Sequence, residues 1–277
     1  MGLYIQTNVS SLEAQKNLQK NQGALMASFN KLSSGYRINT AADDAAGLAI
    51  SESMKSQIRS YTVAERNASD GISMAQTAEG ALGDIHDVLG RMRELAVQSS
   101  NGSVTSTDRG YMQTEFGLLQ AEVTRIQGSA KFNNKDLITA SAQTVTYQVG
   151  LNNTASDQVS VTFGGVALTS LLASSTKIGG TTASSALASL STIDTAIGSV
   201  STARSKFGAA MNRLQVATSN IETMRLNLSA ANSRIRDVDV ASETSAMTRN
   251  QVLTQAGVSV LAQANQLPQT AFGLIGR

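Results

Sequence analysis

Apolar residues recur at alternating steps of four and three through most of this chain, the spacing of helices packed along a seam. The longest run starts at Ala186 and visits Leu190, Ile193, Ile197, Val200, Arg204, Phe207, Met211, Leu214, Thr218, Ile221, Arg225, Leu228, Asn232 and Ile235. Its polar slots, Arg204, Thr218, Arg225 and Asn232, share one column with Met211. The run predicts a helix over 185–235. About 50 residues at 1.5 Å each would reach about 75 Å, too long for the interior of a compact domain, so the segment reads as a rod.

The first half of the chain holds partners for that helix. Ala68, Ile72, Ala75, Leu82, Ile85, Leu89, Met92 and Ala96 keep the same spacing. Asp43 and Asp44 precede Ala45-Ala46-Gly47-Leu48 and suit a helix start, as cap and as favourable charge against the dipole. This helix is expected over 44–99, broken by Ser99-Ser100-Asn101-Gly102. A further helix, 106–128, carries Met112, Phe116, Leu119, Val123 and Ile126 and is expected to end near Gly128.

Between them the pattern changes. Val145, Tyr147 and Val149 alternate with polar residues, and so do Val159, Val161 and Phe163, on either side of Gly150-Leu151-Asn152-Asn153. Period-two alternation across such a break predicts a β-hairpin with a long loop, within a Ser/Thr/Gly-rich stretch over 140–184. Ile178-Gly179-Gly180-Thr181-Thr182 reads as a flexible return.

The two ends are alike in kind. Leu18, Leu25, Phe29 and Leu32 form one amphipathic stripe, ending at Ser33-Ser34-Gly35. Ala246, Leu253, Gly257, Val260, Ala264 and Leu267 form another, ending at Pro268. The fold class that follows is mainly α: a long antiparallel helical rod over 44–236 with a small β-hairpin insert. Paired N- and C-terminal helices, 1–43 and 237–277, make an inner coiled-coil domain.

Composition narrows the chemistry. Of 277 residues, 22 are basic and 20 acidic, so bulk charge favours neither nucleic acid nor an anionic membrane. Cysteine is absent and His86 is the single histidine, which removes thiolate chemistry, disulfides and His clusters. No stretch has the apolar length of a membrane span, and the N-terminus lacks a basic and apolar leader of the cleaved secretory kind. Asp43-Asp44 is better read as a helix start than as a catalytic carboxylate pair, and His86, between Asp84 and Asp87, as a solvated surface residue. Met74, Met92, Met112 and Met211 fit a helical core better than a cofactor site. No constellation supports an enzyme, a metal or a cofactor.

Two stretches resemble a known family. Leu32 to Ser51 reads LSSGYRINTAADDAAGLAIS, and Ser233 to Arg277 reads SRIRDVDVASETSAMTRNQVLTQAGVSVLAQANQLPQTAFGLIGR. Both are similar to the terminal hallmarks of bacterial flagellins, as are Asn8, Leu12 and Asn67 to Ala78. The resemblance covers about 1–135 and 185–277, and the family's larger outer domains are missing.

The resemblance implies a subunit of the flagellar filament, extracellular, exported unfolded through a type III apparatus without signal cleavage. It would add under a filament cap to other copies of itself. Further implied partners are hook-associated junction proteins and an export chaperone at the C-terminal helix. Leu18, Leu25, Phe29, Leu32, Leu253, Val260 and Leu267 are then the self-assembly residues. Ala256, Gly257, Ala262 and Ala264 would let helices approach closely, and Gln251, Gln255, Gln263 and Asn265 would offer a polar channel face. Arg91, Leu95 and Glu115, with Ile193, match positions that flagellins present to the animal innate receptor Toll-like receptor five. The Ser/Thr-rich stretch from Thr139 to Ser185 could carry O-linked sugars, as in some flagellins. The runner-up is a hook–filament junction protein, which shares the terminal architecture. A signalling coiled coil would need a mirrored hairpin tip that the chain does not show.

Overall fold

The structure, a computed structural model, describes residues 7–173 and 175–275, from 267 onward by backbone alone. Five helices dominate: α1 (Val9–Ser34), α2 (Ala45–Ser99), α3 (Ser106–Ser129), α4 (Ser184–Arg236) and α5 (Val240–Ile275). The packing falls into two units. One holds the residues up to Ile58 and from Asn227 on; the other holds Arg59–Leu226. The division lies inside α2 and α4.

In the Arg59–Leu226 unit, α2 buries a column stepping by three and four: Ala68, Ala75, Ala78, Leu82, Ile85, Leu89, Met92 and Ala96. Facing it, α4 buries Ala186, Ser189, Ile193, Ala196, Val200, Ala203, Phe207, Ala210 and Leu214. The seam of α4 therefore sits one residue away from the expected second column. Leu190, Ile197 and Met211 lie half-buried on the flank, and Ser189, Ala196, Ala203 and Ala210 fill the contact. Small side chains win those positions because they let the backbones approach, while longer ones reach in from the side. Glu79 pairs with Arg204 at 2.7 Å and Arg93 with Asp194 at 2.7 Å, the offsets of an antiparallel pair. The third helix, α3, adds Phe116, Val123 and Ile126 to this core.

Thr105 caps α3 in a reciprocal box with Asp108. After α3 the chain makes a two-residue hairpin, β1 (Lys131–Phe132) against β2 (Lys135–Asp136). Its turn residues Asn133 and Asn134 have φ of 46° and 63°, a left-handed geometry that asparagine tolerates. The expected hairpin is present as β3 (Gln143–Gln148) and β4 (Gln158–Phe163), with Val145 opposite Val161 and Tyr147 opposite Val159. Alternation puts Tyr147, Val159, Val161 and Phe163 inward and Thr144, Thr146, Ser160 and Thr162 outward.

Gly71 makes room for that inward face. A Cβ there would lie 3.2 Å from the Tyr147 ring and 3.1 Å from Leu214. Beyond it, the Tyr147 hydroxyl donates to Met74 Sδ at 3.0 Å, and the Phe163 and Phe207 rings stack at 5.3 Å. Burial favours the neutral phenol and pushes the Tyr147 pKa up.

The return to α4 is not the flexible segment the glycines suggested. Val166, Leu168, Leu171 and Ile178 are buried in the core. Gln113 Oε1 accepts from the backbone N–H of both Ile178 and Gly179, and Ser99 Oγ donates to Ile178 O. Arg109 is 4% exposed and donates to the carbonyls of Ser99, Asn101 and Thr181. It thus supplies donors where α2 runs out of its own. His86 is half-buried rather than solvated, with Nδ1 shut away from water and without a partner.

In the other unit, α1 and α5 run antiparallel, with Leu18 packed on Gly257. Asn8 Nδ2 donates to Ala264 O at 2.7 Å, and Ser11 Oγ donates to Asn265 Oδ1 at 2.7 Å. The first bond has a chemical reason. Pro268 has no N–H for the carbonyl four residues before it, and Asn8 fills that gap. The helix continues to Ile275 instead of ending at Pro268.

Candidate assembly and recognition faces

The terminal pair buries one stripe and leaves another open. On α1, Leu18, Leu25 and Leu32 are half-buried, Leu18 against Gly257 of α5, while Phe29 is 64% exposed and Met26 71%. On α5, Ala264 is buried, whereas Leu253 and Val260 are 44% and 55% exposed. Val9, Leu12, Val252 and Val258 are open as well. The expected assembly residues thus differ in exposure: the three leucines of α1 are partly covered, and Phe29, Leu253 and Val260 are open. The side chain of Leu267 lies outside the described residues.

The outward side is shaped into shallow recesses. Leu25, Met26, Phe29, Met247 and Gln251 line one, and Val240, Thr244, Thr248, Val252 and Leu253 line another. Among the small residues of α5, Gly257 and Ala264 take part in the close approach, while Ala256 and Ala262 are exposed. Gln251, Gln255 and Gln263 are exposed, and Asn265 is tied to Ser11.

The linkers in this unit are tied to each other. Gly35, at φ 74°, ends α1, and its N–H donates to Lys31 O. Tyr36 bridges Asp237, and the Arg236 guanidinium stacks 4.6 Å above the Tyr36 ring while reaching Glu52. Asp44 accepts from the N–H of Gly47, the helix cap read from the sequence. Asp43 points the other way. The backbone N–H of Thr40, then its hydroxyl, then the N–H of Asn39 hold its carboxyl below the ordinary carboxylate range.

In the Arg59–Leu226 unit, Arg91 and Glu115 join α2 to α3 through an Nε–Oε1 contact of 2.9 Å, and Glu94 adds a second at 2.9 Å. Glu115 first, then Glu94, raise the Arg91 pKa. Both partners are about half exposed in the side chain. Leu95 and Ile193 differ: they are 2% and 0% exposed and belong to the core. In the subunit both are covered, whereas Arg91 and Glu115 are open.

Sequence reasoning missed Arg109, the Asn133-Asn134 hairpin and the buried Val166, Leu168, Leu171 and Ile178. The Asn-Asn pair was a usable signal, since asparagine is the commonest non-glycine residue at positive φ. Among the described residues no group of His, Cys, Asp and Glu converges as a metal site, and no helix is long and apolar enough to cross a membrane.

The bacterial flagellin N-terminal helical region matches residues 5–143, and the bacterial flagellin C-terminal helical region matches 190–275. A flagellin of Halalkalibacterium halodurans is 43% identical over 99% of this chain and 100% of its own length. A flagellin of Bacillus subtilis is 39% identical over 98% of this chain and 99% of its own. A flagellar filament 30.7 kDa core protein of Treponema maltophilum is 38% identical over 99% of this chain and all of its own. Matched in both helical regions and along nearly its whole length, the chain belongs to the bacterial flagellin family.

Proposed function

We propose that this chain is the subunit of a bacterial flagellar filament and polymerises through the outward stripe of its terminal helix pair. The carrying observation is the apolar surface at Phe29, Leu253 and Val260 beside a pair that is already closed on its other side. Such a surface costs free energy in water, and contiguous patches of this kind mark interfaces. A head-to-tail contact that does not close on itself propagates a helical polymer.

The relatives carry this reading as well. They include a protein named for the flagellar filament core, and flagellins are structural proteins rather than enzymes. The chain acts outside the cell, at the flagellum, after export in an unfolded state by a type III apparatus. Its further partners are an export chaperone at α5, the filament cap and the hook-associated junction proteins. The filament subunit is favoured over a junction protein because the relatives matched end to end are flagellins and a filament core protein. Electron microscopy under polymerising conditions tests the assignment. The parent is expected to give micrometre filaments, and Leu253→Asp or Val260→Asp dispersed subunits. Normal filaments from either variant would refute the assembly face.

A second role rests on a separate observation. Arg91 and Glu115 stand exposed and paired across adjacent helices of a unit whose core holds Leu95 and Ile193. We propose that Toll-like receptor five reads this charged surface on the free subunit. Exposed pairs contribute little to stability, so Arg91→Ala and Glu115→Ala should leave the fold intact. Receptor-reporter cells should respond less to both monomers; an undiminished response removes the assignment.

A further inference from the structure

The stripe that the terminal pair offers for assembly contains a chemically reactive side chain. Of nine methionines, Met74 and Met92 are buried in the core. Met54, Met112, Met211 and Met247 are half-buried. Met26 is 71% exposed, the most open methionine among the described residues, and Met224 is 54% exposed. Met26 shares its recess with Leu25, Phe29 and Met247.

The chemistry of a thioether makes that position consequential. Methionine is a flexible, apolar filler that adapts to an irregular partner surface. Its sulfoxide is polar, and burying it without hydrogen-bond partners carries a desolvation cost. We propose that Met26 is a modification site of the unassembled chain, where oxidation by a peroxide disables the terminal face. The inference rests on the assembly reading above. In the reaction the sulfur lone pair attacks one oxygen of hydrogen peroxide. The O–O bond breaks, an S–O bond forms, the sulfur is oxidised by two electrons and the peroxide is reduced to water. Packing against neighbouring copies covers the same sulfur, so sensitivity ends with polymerisation. Reduction by methionine sulfoxide reductase reverses the block.

The test uses the full chain as dissociated subunits and as filaments, each exposed briefly to hydrogen peroxide. Peptide mass spectrometry locates the added oxygen, and sedimentation gives the critical concentration for polymerisation. In subunits, Met26 should be modified ahead of Met247, Met74 and Met92, with a rise of the critical concentration of about fivefold or more. In filaments Met26 should be spared. Met26→Leu should keep the untreated critical concentration after peroxide, Met224→Leu should remain sensitive, and reductase treatment should restore the parent. The proposal is overturned if Met26 is spared in free subunits, or if chains oxidised there polymerise normally. It is equally overturned if Met26→Leu loses assembly to peroxide as fully as the parent. Untreated parent that forms no filaments overturns the assembly reading itself, an outcome distinct from untreated parent that assembles and oxidised parent that assembles equally well.

Discussion

Phe29→Ala gives the assembly face a quantitative test. Full burial of a phenylalanine side chain stabilises by about 1.5–3 kcal/mol. In the free subunit Phe29 keeps 64% of its surface in water, so the fold has taken roughly a third of that benefit and a neighbouring copy has the rest to gain. Completing the burial is then worth about 1–2 kcal/mol per added subunit. With about 1.4 kcal/mol per tenfold change in an equilibrium constant, the critical concentration should rise roughly 5- to 30-fold. The cost to the isolated subunit is smaller, about 0.5–1 kcal/mol for the contacts with the α5 side. Sedimentation across a concentration series measures the first quantity, and circular dichroism during thermal unfolding measures the second. An unchanged critical concentration would show that Phe29 stays in water in the polymer and would refute the outward stripe as the contact. A large loss of subunit stability with no further assembly defect would place Phe29 in the fold instead.

Two other outcomes follow from residues held by hydrogen bonds. Arg109→Met keeps the apolar stem of the side chain but removes donors to the buried carbonyl of Ser99 and the part-buried carbonyls of Asn101 and Thr181, and should destabilise the Arg59–Leu226 unit by about 2–4 kcal/mol in urea unfolding; a loss under 1 kcal/mol would show that water replaces the guanidinium. Asp43, whose pKa is depressed in the folded state, supports the linker turn fully above the ordinary carboxylate range and loses that support as acidification protonates it below that range. Amide exchange at Asn39 and Thr40 should therefore accelerate on acidification relative to Asp43→Asn, which should be fast throughout, and parallel pH profiles for the two proteins would contradict the assignment.

The helices were legible in the sequence because their signals repeat over many turns. The same repetition misled the reading of α4, where hydrophobicity favoured Leu190, Ile197 and Met211 over Ser189, Ala196, Ala203 and Ala210. Contact distance selects on size, and a hydropathy pattern carries no term for it. Alternation located β3 and β4 because one face is buried and the other wet. Val166, Leu168, Leu171 and Ile178 stand among Ser, Thr and Gly without a sustained period, so these buried residues looked like a loop. Arg109 was invisible for a related reason: a charged residue at a seam position reads as an interruption until the carbonyls it serves are brought together. In the candidate faces, the stripes on α1 and α5 were read from spacing. Which residues of each stripe stay open depends on the mutual rotation of two helices, and one helix alone does not encode that.

The bond from Asn8 to Ala264 joins positions 256 residues apart. A loop of that length is entropically costly to close before the segment between has folded. Within the Arg59–Leu226 unit the Glu79–Arg204 pair spans 125 residues, about half that loop. Folding order is therefore written into the connectivity: once α2 and α4 have paired, the loop that Asn8 and Ala264 must still close is far shorter, so the middle sets first and the tails meet last. The residues at the two extremes of the chain are thus the last to find each other, and the terminal pair reports on whether all that lies between has folded.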